Sequence, residues 1–189
     1  EQYLAQEDGC EAGMPEHADR LVSQCGDEVV GALARLRPVE RSCFLLLSLG
    51  GYSYQEIAEI VEIPLGTVVT HLSRGRAKLR QWLCDYAAEH GMGISIKPHG
   101  GLNATGPQCR KTVEMVGHEN FRVWYDAGNI YYYSNGELSP VDDAPSVDGL
   151  VTGWCIKDYK HPKEVSVTPG MGQVDFAAVF AKLKAGGFR

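Results

Sequence analysis

Apolar positions between residues 53 and 80 follow two successive helical patterns separated by a short interruption. The first pattern comprises Ile57, Ala58, Ile60 and Val61, and the second comprises Val68, Leu72 and Leu79. Ser53 and Glu56 can form a capping pair, which satisfies free backbone amides where a helix begins. Pro64 and Gly66 fall in the interruption, where proline stiffens a turn and glycine permits a close chain reversal. The pattern predicts a helix, a tight turn and a second helix.

The predicted second helix is basic, although the whole chain has a formal net charge of -6. The charged side chains between Gly66 and Arg80 are Arg74, Arg76, Lys78 and Arg80, all of them cationic. An α-helix can meet base edges in the major groove, whereas cations along it contact phosphates. We therefore expect this helix to bind DNA. The candidate contacts are Thr67, Val69, Thr70, His71, Arg74, Arg76, Lys78 and Arg80.

Segments on both sides of the turn resemble a known family. The matching segments are residues 37–41 (RPVER), 44–47 (FLLL), 51–58 (GYSYQEIA) and 63–68 (IPLGTV), followed by the basic helix. Residues 25–85 thereby resemble region 4 of bacterial sigma factors, and specifically the small extracytoplasmic-function type. The resemblance implies a helix-turn-helix domain that docks on core RNA polymerase and reads the minus-35 promoter element with its second helix. Promoter DNA and core polymerase are the implied partners, and an anti-sigma factor is a further candidate.

The recognition positions depart from the usual sigma pattern. Val69, Thr70 and His71 stand where many family members carry lysine, serine and arginine, so the base preference is open. A rival interpretation is the response-regulator type of helix-turn-helix, because residues 67–72 (TVVTHL) also fit its T-V-x-x-H pattern. The preceding Pro-Leu-Gly and the R-x-R-x-K-x-R run favour the sigma interpretation. Both interpretations predict a DNA-binding protein.

Composition is that of an ordinary globular protein. The apolar content is 44%, and no apolar run approaches the roughly 20 residues that span a bilayer, so we expect no membrane association. Residues 1–24 combine acidic side chains with glycine and proline, which predicts a flexible acidic tether. The six cysteines include no C-x-x-C pair, so we expect reduced thiols in a cytoplasmic protein.

The pattern changes near residue 90, where helical spacing gives way to short apolar runs separated by glycine, proline and asparagine. Residues 94–96, 121–125 and 150–156 have the character of buried strands, and residues 107–116 and 176–184 have helical spacing. Strands that alternate with helices are typical of βαβ units. This part of the chain is therefore predicted to form a parallel sheet.

Four short motifs in this second part resemble another family. They are residues 97–101 (KPHGG), 125–129 (YDAGN), 156–158 (IKD) and 169–176 (PGMGQVDF). They resemble the sugar phosphate isomerase/epimerase barrels, relatives of xylose isomerase, in which carboxylates and histidines at strand ends hold a divalent metal beside the substrate. The resemblance begins at the fifth strand and stops after the seventh helix. It therefore implies an incomplete (βα) barrel fragment.

The matching positions retain little of that family's metal site. Lys97 stands where the family has a glutamate and Cys155 where it has a histidine, so only Asp126 matches a metal ligand. One carboxylate supplies too few ligands to hold a divalent ion firmly. We therefore expect no cofactor, unless the fragment is active with a divalent metal. In that case the candidate catalytic residues are Lys97, His99, Asp126, Lys157 and Asp158, with Asp126 as the candidate metal ligand.

The sequence as a whole predicts a two-part chain of the α plus α/β class. An acidic tether at residues 1–24 precedes a helix-turn-helix domain at residues 25–90 and a barrel-like segment at residues 91–189. The main hypothesis is a sigma-like protein that binds promoter DNA and core RNA polymerase for transcription initiation and performs no chemistry. The alternative is an enzyme of the sugar phosphate isomerase/epimerase type.

Overall fold

The computed structural model describes residues 20, 21 and 26–189, without the side chains of residues 27 and 28. The chain divides into two compact units, Glu1–Leu83 and Cys84–Arg189. The predicted acidic tether lies outside the described residues, apart from Arg20 and Leu21. Among the described helices, none is both long and apolar enough to cross a membrane.

Helices make up the regular structure of the described part of the first unit. They are α1 (Asp27–Leu33), α2 (Pro38–Ser48), α3 (Tyr54–Val61) and α4 (Leu65–Glu89). Pro38 is the first residue of α2, where proline's missing amide has no helical partner to lose and its fixed φ angle suits a helix. Helix α4 continues past Leu83 into the second unit.

The main core of the first unit lies where α2, α3 and α4 meet. Its buried side chains are Cys43, Leu46, Ile57, Ala58, Val68 and Leu72. Ile57 and Leu72, which the apolar pattern predicted, are almost completely inaccessible to solvent. Burying a side chain of this size contributes about 1.5 to 3 kcal/mol. This cluster therefore holds the two helices of the predicted helix-turn-helix in a defined packing.

The second unit contains a three-stranded parallel sheet with helices packed against it. Its elements are β1 (Ile94–Ile96), α5 (Gly106–Val116), β2 (Phe121–Asp126), α6 (Ala127–Tyr133), α7 (Pro140–Asp143), a 3-10 turn (Ala144–Val147), β3 (Val151–Cys155) and α8 (Phe176–Ala185). The strand order is β1-β2-β3, and both strand pairs are parallel. The predicted parallel sheet is confirmed. Because parallel strands end at the same edge, residues that follow them are brought together there.

Side chains along β2 alternate between the buried and the exposed side of the sheet. Val123 and Tyr125 have no exposed surface and belong to the core, whereas Trp124 between them is 43% exposed. The indole of Trp124 lies against Gly153 of β3, where a Cβ would come within 2.6 Å of the ring. A larger residue at this position would push the indole away. The close contact thus depends on glycine.

Candidate functional site

The turn between α3 and α4 sets the geometry of the candidate DNA-binding surface. Ser53 N donates to Glu56 Oε2 at 2.8 Å, and Glu56 N donates to Ser53 Oγ at 3.3 Å, so the predicted capping pair is confirmed. Glu62 ends α3 in the left-handed conformation, with φ of 56°. Pro64 O then accepts a hydrogen bond from Thr67 N at 2.8 Å. A short hydrogen-bonded turn therefore joins the two helices.

The first turns of α4 have one buried and one exposed side. Val68 and Leu72 are buried in the core. Val69 is 47% exposed, and Thr70 and Arg74 are also exposed. Because the buried side chains determine the rotation of α4 about its axis, the three exposed ones are directed to solvent. We call Val69, Thr70 and Arg74 the α4 face.

The remaining candidates at the start of α4 are more restricted. Thr67 and His71 are partly buried. Thr70 Oγ1 donates to Gly66 O at 2.9 Å, so its hydroxyl proton is used within the helix. The hydroxyl oxygen can still accept a hydrogen bond, and the methyl group can contact a thymine methyl. Thr70 therefore favours apolar and acceptor contacts over donation to a base.

Two arginines farther along α4 are oriented by neutral partners. Arg76 Nη1 donates to Tyr54 OH at 3.4 Å, and Arg80 Nε donates to Arg76 O at 3.1 Å. A hydrogen bond to a neutral oxygen leaves the positive charge of the guanidinium in place. Both groups can therefore attract a phosphate, which binds guanidinium strongly.

Lys78 has a structural partner on α2. Its Nζ lies 2.7 Å from Oε2 of Glu40, whose side chain is completely buried. Arg37 donates to the same carboxylate from its backbone N at 3.2 Å and from Nη2 at 3.1 Å. Burial raises the pKa of Glu40, but the hydrogen bonds from Lys78 and Arg37 outweigh burial and hold the pKa below its usual value. Lys78, predicted as a phosphate contact, thus also neutralises a buried charge.

Three side chains meet at the carboxyl ends of the strands in the second unit. Lys97 follows β1, Asp126 ends β2 and Cys155 ends β3. Lys97 Nζ lies 2.9 Å from Asp126 Oδ2 and donates to Cys155 Sγ at 3.6 Å. The hydrogen bond to buried Asp126 raises the pKa of Lys97, although partial burial opposes the shift, so the amine is protonated at neutral pH. We call these three residues the strand-end cluster.

Asn129 connects the strand-end cluster with another candidate residue. Its backbone N donates to Asp126 Oδ1 at 3.0 Å, which caps α6. Its side-chain oxygen accepts a hydrogen bond from Lys157 Nζ at 2.7 Å. His99 Nδ1 lies 3.3 Å from Tyr133 OH. Lys157 and His99 are thereby oriented by neutral groups beside the same edge of the sheet.

Asp158, another catalytic candidate, is buried with both carboxylate oxygens occupied. Its Oδ1 accepts hydrogen bonds from Tyr159 N at 2.8 Å and Val174 N at 3.1 Å. Its Oδ2 accepts from Gly170 N at 2.9 Å and Gly172 N at 2.8 Å. Burial raises the pKa of Asp158, but these backbone hydrogen bonds together bring it below its usual value. The carboxylate therefore anchors the loop that precedes α8.

Comparison with known proteins matches each part of the chain to a different family. Residues 74–189 match the xylose isomerase-like TIM barrel family. The chain belongs to this family. Residues 26–79 match region 4 of the sigma-70 factors. Both resemblances inferred from sequence motifs are confirmed.

This chain aligns with only part of the length of each individual relative. The ECF RNA polymerase sigma factor SigE of Mycolicibacterium smegmatis is 36% identical over 67 residues, 35% of this chain and 26% of that protein. A xylose isomerase domain protein from Planctomyces limnophilus is 17% identical, with a TM-score of 0.49 over 89% of this chain and 59% of that one. A D-allulose 3-epimerase from Methylomonas sp. is also 17% identical, with a TM-score of 0.46 over 89% and 57%. The chain thus spans less than two thirds of each.

The residues around Asp126 do not fit the divalent metal that the barrel family implies. In the described part of the chain, no three His, Cys, Asp or Glu side chains are placed to share a metal ion. The Lys97 ammonium lies beside the one matching carboxylate and would repel a second cation there. The positive charge beside Asp126 is therefore that of the Lys97 ammonium.

Two residues that organise the candidate sites, Glu40 and Asn129, were not predicted as site residues from the sequence. Glu40 was noted only as part of the sigma-like motif, although an acidic residue three positions after the N-cap is a known sign that a helix begins. Its ion pair with Lys78, 38 residues away along the chain, cannot be recognised from the local sequence pattern. Asn129 was noted only as part of the barrel motif. Its hydrogen bonds with Asp126 and Lys157 are seen only in the folded structure.

Proposed function

We propose that the first unit binds duplex promoter DNA in the cytoplasm, with the α4 face in the major groove. The exposed side of α4, which has no acidic residue between Leu65 and Arg80, is the observation that carries this proposal. Burial of Val68 and Leu72 holds that side outward. The match of residues 26–79 to sigma-70 region 4 supports the same function.

The side-chain chemistry of the α4 face suggests how bases are read. The methyl groups of Val69 and Thr70 can contact thymine methyls, and Arg74 can donate to guanine or to phosphate. Arg76 and Arg80 lie farther along the helix, where phosphate contacts position the protein without reading sequence. With few base contacts, discrimination rests mainly on Arg74, since one good bidentate contact is worth about 1 to 3 kcal/mol.

Core RNA polymerase is the protein partner that we propose for α1 and α2. The match to sigma-70 region 4 supports it. Val29 on α1 and Leu49, which directly follows α2, are each 50% exposed, so a partner could cover them. Docking would place α4 on upstream promoter DNA and add polymerase contacts to a small DNA interface. An anti-sigma factor would act by covering the same helices.

Fluorescence anisotropy with the whole chain tests DNA binding. A minus-35-type duplex and a scrambled duplex are titrated, each with and without core polymerase. We expect tighter binding to the minus-35-type duplex and a several-fold loss with Arg74→Ala. Lys182→Ala removes one exposed cation from α8 and should leave binding unchanged. Equal binding to both duplexes, or no effect of Arg74→Ala, would contradict the proposal.

Membership of the barrel family favours a second candidate function, a sugar phosphate isomerase or epimerase-like activity of the second unit. The strand-end cluster, with His99 and Lys157 nearby, lies at the edge of the sheet where barrel enzymes place their chemistry. Lys97 would then supply the positive charge that faces substrate oxygens, without a metal cofactor. An isomerase screen with and without manganese tests this function. Activity that Asp126→Ala abolishes supports it, and no turnover in either condition argues against it.

A further inference from the structure

Lys97 and Cys155 are placed so that oxidation can join them. Lys97 follows β1 and Cys155 ends β3, the two outer strands of the sheet. Lys97 Nζ nevertheless lies 3.6 Å from Cys155 Sγ, at the carboxyl end of the central strand β2. Cys155 is a free, partly buried thiol, and the Lys97 side chain is 37% exposed. A small oxidant can therefore reach an amine and a thiol that are already in contact.

We propose that Lys97 and Cys155 form a reversible covalent N–O–S bridge when the protein meets hydrogen peroxide. This inference goes beyond both DNA binding and sugar isomerisation, since it concerns a redox modification of the second unit. It rests on the contact between the two side chains and on the carboxylate of Asp126, which lies 2.9 Å from the same amine. All three groups belong to the strand-end cluster.

The reaction uses two equivalents of hydrogen peroxide. The first oxidises the Cys155 thiol to a sulfenic acid and is reduced to one water. The Lys97 ammonium then transfers a proton to Asp126, and its nitrogen forms a bond to the sulfenic oxygen. One N–H hydrogen and the sulfenic hydrogen leave with the second peroxide, which is reduced to two waters. Sulfur and nitrogen each lose two electrons, and each peroxide gains two.

Asp126 makes the loss of the lysine charge tolerable. Its carboxylate is completely buried and is paired with the Lys97 ammonium before oxidation. A buried carboxylate that lost this cation would be strongly destabilising. Proton transfer from Lys97 to Asp126 leaves both groups neutral after the bridge forms.

The other described cysteines differ from Cys155 in burial. Burial raises the pKa of Cys43 to about 11 and that of Cys109 to about 12, and it also raises the pKa of Cys84. Thiols of this kind react slowly because the thiolate is the nucleophile. They provide internal controls. Cys10 and Cys25 lie outside the described residues and are best replaced by serine in the test protein.

The bridge would change the second unit in two ways. It would tie the ends of β1 and β3 together through residues 58 apart in the chain, which restricts the unfolded state. It would also remove the positive charge of the strand-end cluster. We therefore expect the thermal midpoint of the second unit to rise on oxidation and to return on reduction.

Peptide mapping of the full chain carrying Cys10→Ser and Cys25→Ser tests the proposal. After hydrogen peroxide treatment we expect a linked peptide that joins Lys97 to Cys155. Its mass should equal the two peptides plus one oxygen and minus two hydrogens. Dithiothreitol should release the two peptides and reverse the rise in thermal midpoint.

Two variants distinguish the bridge from simple thiol oxidation. Lys97→Arg keeps a cation beside Asp126 but has no primary amine, and Cys155→Ser removes the sulfur; neither should give the linked peptide. Cys155 oxidised to sulfinic acid without a link to Lys97 would overturn the proposal, as would an unreactive Cys155. A linked peptide without the added oxygen would overturn the N–O–S chemistry.

Discussion

Lys78 Nζ lies 2.7 Å from Glu40 Oε2, and this ion pair holds α4 against α2. The Glu40 side chain has no exposed surface, whereas the Lys78 side chain is 47% exposed. A cation on the proposed DNA-binding helix therefore neutralises a carboxylate inside the protein. The orientation of α4 thus depends on this pair as well as on the apolar core.

Removal of Lys78 should destabilise the first unit. Lys78→Met leaves buried Glu40 with Arg37 as its charged partner, and a buried group that loses a hydrogen-bond partner costs about 1 to 3 kcal/mol. Urea unfolding followed by far-UV circular dichroism measures the change. In a Glu40→Gln background the loss should be smaller, because the buried charge is gone. Lys182→Met, an exposed lysine on α8, is the matched control, and an equal effect of the two lysine changes would contradict the expectation.

Salt dependence should show that Lys78 adds little to DNA binding. If Arg74, Arg76 and Arg80 each neutralise one phosphate, the logarithm of affinity should fall with the logarithm of salt at a slope of about -2.7. A fourth contact from Lys78 would make the slope about -3.6. We expect Arg76→Ala to reduce the slope by about 0.9 and Lys78→Met to leave it unchanged. Anisotropy titrations across a salt series measure this, and a slope near zero would exclude phosphate contacts.

Gly75 should accept alanine but not a longer side chain. A Cβ at Gly75 would lie 3.8 Å from Glu40 Cβ and from Leu36 Cδ1, which is ordinary contact. Since alanine favours a helix over glycine by about 1 kcal/mol, Gly75→Ala should stabilise the first unit by up to that amount. Gly75→Leu must displace these neighbours and should destabilise it by about 1 to 3 kcal/mol.

Urea midpoints measure both Gly75 variants against Gly66→Ala, where a Cβ has no neighbour within 4 Å. Gly66→Ala should report the helix preference of alanine without any packing against α2. A loss of stability with Gly75→Ala would show that α4 and α2 approach more closely than the structure indicates.

Asp158 should give the second unit an acid-sensitive stability. Its folded pKa is depressed, so its contribution is complete above the unfolded pKa of about 3.9 and is lost as the pH falls through the folded value. Asp158→Asn replaces one acceptor oxygen with an amide and should cost about 1 to 3 kcal/mol at neutral pH. The thermal midpoint of the variant should therefore lose this acid dependence.

Thermal midpoints measured from neutral pH to below about pH 4 test the Asp158 prediction. Asp142→Asn, at an exposed position in the first turn of α7, is the control and should follow the unchanged protein. Identical pH profiles for Asp158→Asn and the unchanged chain would show that the loop does not depend on the carboxylate.

Local signals in the sequence were sufficient for the helix-turn-helix, the three strands and helices α5 and α8, whereas α6, α7 and the 3-10 turn were not predicted. The Ser53 and Glu56 cap depends on residues within one helical turn, and the burial of Val68 and Leu72 follows from helical spacing. The parallel sheet was also predictable, because strands that alternate with helices can pair in few ways. The exposed candidates on α4 followed from the same periodicity.

The sequence by itself determined the two-part organisation, the helix-turn-helix and the residues at the strand ends, because each depends on short-range spacing. Tertiary structure alone decided what those side chains contact. Lys78 pairs with Glu40 across 38 residues, and Lys97 contacts Cys155 across 58. Such pairings depend on how separate elements pack, and no local period encodes that packing. Whether a lysine lies beside a buried carboxylate or a thiol was therefore settled only when the chain folded.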